Sequence, residues 1–304
     1  MSTVLCICTF RRPDGLRKLL LALPAVQGSE GLTIVVADND AKAEGIAVCN
    51  ELSNTDYPFD IYTIQVNEPG ISEARNAACL KALSLAPDMV AFLDDDEWPE
   101  TQWLSELRRV QHNCGVDMVG GPTLPVFPDD TPTEILDNPY YGANMNLPDQ
   151  TRCQLQAGGN LLIKAEVLAT LSPNFYHTDF TRSGGEDLAF FEQLHQNGHT
   201  MAWATNAIVH EPVPASRLQP GWIRHRVITI HNSRVRVMQM LKPQFRHRLV
   251  RGLKTTALGT VALIISAVSW LSPDLAMRAR ELRWKFQGKL SAHLGRTVTR
   301  KESY

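Results

Sequence analysis

The run Asp94-Asp95-Asp96-Glu97 holds the densest concentration of potential chemistry in this sequence. It follows the apolar stretch Met89-Val90-Ala91-Phe92-Leu93 and leads into Trp98-Pro99. A buried strand that ends in four consecutive acids crowds negative charge at one sheet edge. Like-charge repulsion makes that costly unless a cation or strong hydrogen-bond donors offset it. A hard divalent metal suits such a place, because it prefers oxygen ligands and often shares them with a substrate's phosphates. The other reading is a solvated loop in which one acid caps a helix that begins near Pro99. The tetrad alone leaves both open.

The elements that must position these acids follow from the apolar pattern. Runs at residues 4–8, 32–37, 61–66 and 89–93 read as strands, and residues 14–23, 41–53, 72–85 and 100–113 as the helices between them. Strands alternating with helices of this length predict βαβ units and a mostly parallel sheet flanked by helices. Ligands of such sheets bind at the carboxyl ends of the strands. Polar residues follow the strand ends repeatedly: Thr9, Arg11 and Arg12; Asp38 and Asp40; Asn67 and Glu68; then the acidic run. The pattern places them along one edge. Residues 120–150, rich in Pro, Asp and Asn, read as loops around a few short strands. Residues 157–163 read as a turn into another strand. Ser183-Gly184-Gly185-Glu186-Asp187 opens a helix with Leu188, Phe191 and Leu194 on one face, and Gly198 stops it.

The chain has 304 residues, 44% hydrophobic and 20% charged, enough apolar material for a sizeable core. Its formal net charge of −2 speaks against a general nucleic-acid binder. That value hides an asymmetry: residues 246–304 carry twelve Lys or Arg against three Asp or Glu, so the rest is acidic. An acidic body with a basic tail implies that the tail meets an anionic surface. The six cysteines form no C-x-x-C pair and are expected to be reduced. The apolar start is followed, not preceded, by Arg11-Arg12, so a signal peptide is not expected and the body is expected to be cytoplasmic.

Residues 255–271 carry no charge, a length at the lower limit for a spanning helix, and Gly259 with several Ser and Thr weakens it further. Residues 280–294 read as a helix, basic on one side and carrying Leu282, Trp284, Phe286 and Leu290. Basic amphipathic helices of this kind lie in a membrane interface. Membrane attachment is the expectation, interfacial or re-entrant in preference to a full crossing. A packed helical hairpin or a homodimer surface is the alternative.

Taken in order, the motifs resemble those of the family-2 glycosyltransferases, inverting enzymes of the GT-A fold that use nucleotide-sugar donors. The similarity covers roughly residues 3–235. Cys8-Thr9-Phe10-Arg11-Arg12-Pro13 is similar to the first strand and turn of the subgroup that builds bacterial exopolysaccharides, including the succinoglycan glucosyltransferases. Val35-Val36-Ala37-Asp38-Asn39-Asp40 resembles the second-strand motif, in which Asp38 would accept a hydrogen bond from the nucleotide base. Gly70-Ile71-Ser72-Glu73-Ala74-Arg75-Asn76 is similar to the segment whose arginine faces the donor. Asp94-Asp95-Asp96 stands where the family has its D-x-D motif, and Gly185-Glu186-Asp187 where it has the acidic motif that supplies the base. The usual Asp-Asp-Gly-Ser is Ala37-Asp38-Asn39-Asp40 here. The Q-x-x-R-W motif of processive members is missing; residues 219–226 offer similar residue types in another order, which argues for one sugar per event.

The resemblance implies a GT-A domain at residues 1–235 and a helical, membrane-associating extension at 236–304. It implies a divalent cofactor, Mg2+ or Mn2+, with Asp96 as direct ligand, Asp94 near the ribose or the metal, and Asp95 in either role. His210 would be a metal ligand or a diphosphate contact, or a structural histidine. Thr9, Arg11, Asp38 and Arg75 would line the donor, Arg75 as a phosphate fork or else as an exposed helical arginine. Asp187 would be the general base with Glu186 assisting; the alternative for that motif is a capping box of Ser183 and Glu186. Trp222 and Arg226 are weaker candidates to line the acceptor site or contact pyrophosphate, and Trp203 could equally be core. The implied activity is transfer of one sugar, glucose by subgroup, from a nucleoside diphosphate, UDP by expectation. The acceptor would be a lipid-linked or growing glycan at the cytoplasmic face of the inner membrane, where anionic lipids meet the tail. A non-catalytic binding or assembly subunit is one rival. A sugar-nucleotide nucleotidyltransferase is the other, but it would need a glycine-rich loop that Thr9–Pro13 does not provide.

Overall fold

The computed structural model describes residues 1–219 and 221–300. Pro220, within the stretch that replaces Q-x-x-R-W, and residues 301–304 of the expected tail lie outside them.

The chain forms β1 (Thr3–Thr9), α1 (Pro13–Ala22), β2 (Leu32–Asp38), α2 (Glu44–Ser53), β3 (Asp60–Gln65), α3 (Ile71–Ser84), β4 (Met89–Asp94) and β5 (Trp98–Pro99). Then come α4 (Trp103–Cys114), β6 (Met118–Gly120), β7 (Thr123–Val126), α5 (Thr133–Leu136), β8 (Leu161–Lys164), α6 (Ala165–Ala169), α7 (Glu186–Gln196), β9 (Met201–Trp203) and β10 (Val209–Pro212). Three long helices follow: α8 (Trp222–Leu241), α9 (Phe245–Ala267) and α10 (Pro273–His293). The described residues divide into two compact units, residues 1–181 with 190–214, and residues 182–189 with 215–300.

In the first unit the main sheet runs β3-β2-β1-β4-β8-β6-β9. Strands β1 to β4 are parallel, and β8 runs against both β4 and β6. Alternate residues of one strand serve opposite faces. Leu5, Ile7, Ile34, Val36, Ala91 and Leu93 join the core under α1, α2 and α4. Val4, Cys6, Val35, Ala37, Val90 and Phe92 join the core under α3 and α7. A strand buried on both faces has no polar alternation to show, which is why these runs are continuously apolar. A small second sheet, β5-β10-β7, stands beside the acidic run.

Two open readings are decided here. Trp98-Pro99 is a strand paired with β10, and α4 begins only at Trp103 with no side-chain cap. The acids therefore do not cap that helix. Trp203 is 4% exposed and belongs to the core.

The second unit is a helical assembly in which α10 packs on both α8 and α9. Two glycines permit the close crossings. A Cβ on Gly288 would strike the carbonyl of Ile228, and one on Gly259 would stand 2.7 Å from the Phe286 ring. Helix α10 starts earlier than the expected residue 280, because Ser272 accepts a hydrogen bond from the Asp274 amide and Pro273 occupies the first turn.

Candidate functional site

Strands β1 and β4 lie side by side with Cys8 opposite Asp94, so the turn after β1 meets the acidic run at the carboxyl edge of the sheet. Asp95, 4% exposed, closes that junction. Its Oδ2 accepts from Thr9 Oγ1 at 2.9 Å and from the Phe10 amide at 3.4 Å, and its Oδ1 from Arg12 Nη1 at 3.0 Å. The same Arg12 nitrogen donates to Asp96 Oδ2 at 2.8 Å. Asp94, with its side chain 42% exposed, accepts from Arg75 Nη2 at 3.1 Å. Glu97 turns inward: its Oε2 accepts from the Asp94 amide at 2.9 Å and its Oε1 from Thr123 Oγ1 at 3.2 Å. A Cβ on Gly159 would stand 2.7 Å from Glu97 Oε1, so the Gly158-Gly159 turn lets the chain pass directly over this buried acid. Asn160 then fixes that turn, accepting from Trp103 Nε1 at 2.8 Å and donating to the Ala207 carbonyl at 2.7 Å.

The four acids thus divide by task. Glu97 and Asp95 hold the loop, while the side chains of Asp94 and Asp96 stay partly exposed, at 42% and 18%. Burial pushes the Asp96 carboxyl up to about 7; Glu211, Asp95 and Asp94 add to the rise, and Arg12 opposes it. Burial also raises Asp95, against Arg12 and Thr9, and lifts Glu97 well above its usual range with Asp94 adding to the effect. The four acids and Glu211 outnumber Arg12 and Arg75, the guanidiniums paired with them. A hard divalent cation fits such an all-oxygen donor set and would relieve the excess. Among the described residues no three His, Cys, Asp or Glu side chains are already arranged around a metal position.

At the end of β2, Asp38 is fully buried, and its two oxygens accept from the amides of Asp40 and Ile46. It shapes the turn from within. Asp40, two residues on and 2% exposed, keeps its Oδ2 without a hydrogen-bond partner, and its Oδ1 lies 3.5 Å from Arg11 Nε. Asp38, the residue expected at the nucleotide, is thus satisfied internally, and Asp40 carries the unsatisfied oxygen. Arg11 itself is 67% exposed in its side chain, whereas Arg12 enters the acidic cluster.

The start of α3 is held by Gly70, whose amide donates to Asn39 Oδ1 at 2.6 Å. Its φ of 153° and the closeness of Glu73 and Thr181 leave no room for a side chain. Arg75 is 5% exposed, so it is not a surface helical arginine; it stands 5.3 Å from the Tyr176 ring centroid and binds Asp94. Asn76 pins the same segment by pairing with both the amide and the carbonyl of Tyr176, at 2.8 and 2.9 Å. On β10, His210 stacks on Trp98 at 5.8 Å, and its Nε2 lies 2.9 Å from Glu100 Oε1. Its neighbour Glu211 went unnoticed in the sequence, because only the pairing of β10 with β5 and β7 brings it to the acids.

The motif Gly184-Gly185-Glu186-Asp187 belongs to the second unit. Helix α7 begins at Glu186, one residue after Gly185 with φ 109°. A capping box from Ser183 does not form: Ser183 Oγ donates to the Gly184 carbonyl and accepts from Arg236 Nη1 at 2.6 Å. Glu186 is 1% exposed and receives Arg300 Nη2 at 3.0 Å on Oε1, while Oε2 has no partner. Asp187 is half-buried in the first turn of α7. In α8, the Arg226 guanidinium lies 5.9 Å from the Trp222 ring centroid.

Comparison with known proteins adds three findings. The family described as Glycosyl transferase family 2 matches residues 4–172. The succinoglycan biosynthesis protein ExoM of Rhizobium meliloti (strain 1021) is 33% identical over 224 residues, spanning 72% of this chain and 70% of that protein. Among solved structures, the mannosyltransferase PcManGT from Pyrobaculum calidifontis, in complex with GDP-Man and Mn2+, aligns at TM-score 0.66 and 13% identity, over 97% of this chain and 87% of that one. S. aureus TarS 1–349 in complex with UDP aligns at TM-score 0.53 and 14% identity, over 97% and 92%. At these identities the two solved structures speak for the fold, which is GT-A.

Proposed function

Because this chain belongs to the family-2 glycosyltransferases, we propose that it moves a single sugar, with inversion, from a nucleoside diphosphate to a lipid-linked or growing glycan in exopolysaccharide-type biosynthesis. UDP is the proposed nucleotide and glucose the sugar. The relative ExoM, named for succinoglycan biosynthesis, supports the setting. One observation carries the proposal: Asp94 and Asp96 gather at the carboxyl edge of the sheet, where burial first and the neighbouring acids second lift Asp96 to about 7.

In this account Asp96 and Asp94 would hold Mg2+ or Mn2+, which when bound neutralises the diphosphate as it leaves. His210 would have to exchange its Glu100 contact before it could join them or the diphosphate. Asp40, with its unsatisfied oxygen, and Asp38 beneath it would shape the base and ribose end of the donor site, with Thr9 and Arg11 at its rim. Arg75 is assigned to the diphosphate, its guanidinium positioned by Asp94 and Tyr176. Asp187 takes the proton of the acceptor hydroxyl, and Glu186 supports it. The acceptor oxygen then bonds to the anomeric carbon as the bond from that carbon to the phosphate oxygen breaks on the opposite face.

Attachment to the cytoplasmic face of the inner membrane belongs to the same proposal, with anionic lipids as partner of the extension at residues 236–304. Helix α9 is long and apolar enough to cross a membrane, and most of its apolar stretch is exposed. Leu263, Ile264, Trp270 and Leu271 are 72%, 61%, 81% and 59% exposed. But α9 packs along α10, which carries Arg278, Arg280, Arg283, Lys285 and Lys289. A crossing would draw those charges toward hydrocarbon, so the helices are assigned to the interface.

A thermal-shift screen of nucleoside diphosphate sugars with Mn2+ tests the donor. A UDP-sugar is expected to raise the melting temperature only with the metal present. No response to any nucleotide sugar, with or without metal, would overturn the proposal.

A further inference from the structure

The second unit devotes an unusual amount of hydrogen bonding to its last described residues. Asn232, fully buried in α8, donates through Nδ2 to the Arg296 carbonyl and to Ser291 Oγ, both at 2.8 Å. Its Oδ1 accepts from the Val298 amide at 3.3 Å. Two turns earlier, His225 Nε2 donates to the Thr299 carbonyl at 2.8 Å. Two α8 side chains therefore stitch down a segment that has left α10 and follows no regular structure of its own. A buried asparagine satisfied this fully is costly to lose, which marks the path of the segment as specified.

The path ends on the acidic motif. The Arg300 amide donates to the Arg182 carbonyl at 2.9 Å, and its Nη2 donates to Glu186 Oε1 at 3.0 Å. The guanidinium lies so close over Gly184 that a Cβ there would stand 2.6 Å from Nη2. Gly184 also has a φ of 71°. Glycine at this position both makes the turn and admits the arginine. Glu186, 1% exposed, would without Arg300 lose the ion pair it makes among the described residues, and an unpaired buried carboxylate is expensive to hold.

We propose that residues 296–300 are a strap that holds the motif at residues 184–187 in its working conformation, with Arg300 as a positioning residue acting through Glu186. This rests on the assignment of Asp187 as the base. Glu186 precedes Asp187 at the start of α7, so a carboxylate anchored on one side fixes the direction in which its neighbour leaves the helix. Glu186 Oε2 keeps its capacity for an acceptor hydroxyl.

The test compares Arg300→Gln, Arg300→Lys and a chain ending at Val298, each with its melting temperature. Hydrogen exchange at residues 182–187 is read alongside steady-state transfer. Arg300→Gln is expected to lower kcat roughly 10- to 100-fold, as misplacement of a reacting group does, with the donor KM unchanged and exchange at 182–187 faster. Arg300→Lys, which keeps the charge and loses the fork, is expected to recover part of kcat. Wild-type kcat in both Arg300→Gln and the shortened chain would overturn the strap. A fall in kcat that only follows the fraction unfolded, with no recovery by lysine, would overturn it too. If the wild-type protein transfers no sugar, the activity proposal fails by itself, and exchange alone decides the strap: unchanged protection at 182–187 removes it.

Discussion

The acidic edge of the first unit and the helical surface of the second break the same rule in opposite directions. At the edge, charge is buried: Asp95 and Glu97 are each 4% exposed and Asp96 is lifted to about 7. On α9 and the turn after it, apolar groups are exposed: Trp270 at 81%, Leu263 at 72% and Leu253 at 62%. A folded chain tolerates either only at a cost in free energy. On the proposed reading, the buried carboxylates would take a cation and its phosphates, and the exposed hydrocarbon beside arginines would take an anionic bilayer.

The sharpest way to break this contrast is to remove a function while leaving the charge excess in place. Asp187→Asn is expected to keep nucleotide binding and to lower transfer ~10²- to 10⁴-fold, the range of general-base catalysis. Release of UDP in the presence of acceptor measures it. On the apolar side, Ile264→Ser with Trp270→Ser leaves the packed faces untouched. Each removes roughly 1.5–3 kcal/mol of possible burial, so binding to anionic vesicles is expected to fall at least tenfold in a sedimentation assay. Gly159→Ala tests whether the buried acids depend on close passage of the chain. Its Cβ would press on Glu97 Oε1, and a loss of about 1–3 kcal/mol is expected in denaturant unfolding.

The smallest effect concerns pH. The folded protein holds the Asp96 proton up to about 7, whereas the ordinary value is 3.8. The unfolded chain therefore releases it first, and stability falls as pH rises through that window. Melting temperatures of metal-free protein between pH 4 and pH 7 should fall less steeply in Asp96→Asn than in the wild type. Equal slopes would place the excess charge elsewhere.

The strands of the parallel half were legible because burial on both faces leaves an uninterrupted apolar run, as in residues 4–8 and 89–93. Their order placed Thr9, Asp38 and Asp94 at one edge without any coordinates. What escaped was set by tertiary contact. Nothing local distinguishes Asp38, sealed by two amides, from Asp40 with its open oxygen. Trp98-Pro99 looked like a helix start because its partner strand lies more than a hundred residues away. Glu211 and Arg300 reach acidic groups across similar distances in sequence, so no window along the chain could pair them. The start of α10 was a plain miss, since Ser272-Pro273-Asp274 is a helix-initiating signal in its own right.

The proposed metal and nucleotide site rests on Asp94 and Asp96 of the first unit. Calorimetric titration of UDP into wild-type and Asp96→Ala protein, with and without Mn2+, tests it most directly. The account predicts metal-dependent binding in the wild type and its loss in the variant. Equal binding by both proteins in the presence of Mn2+ would contradict it.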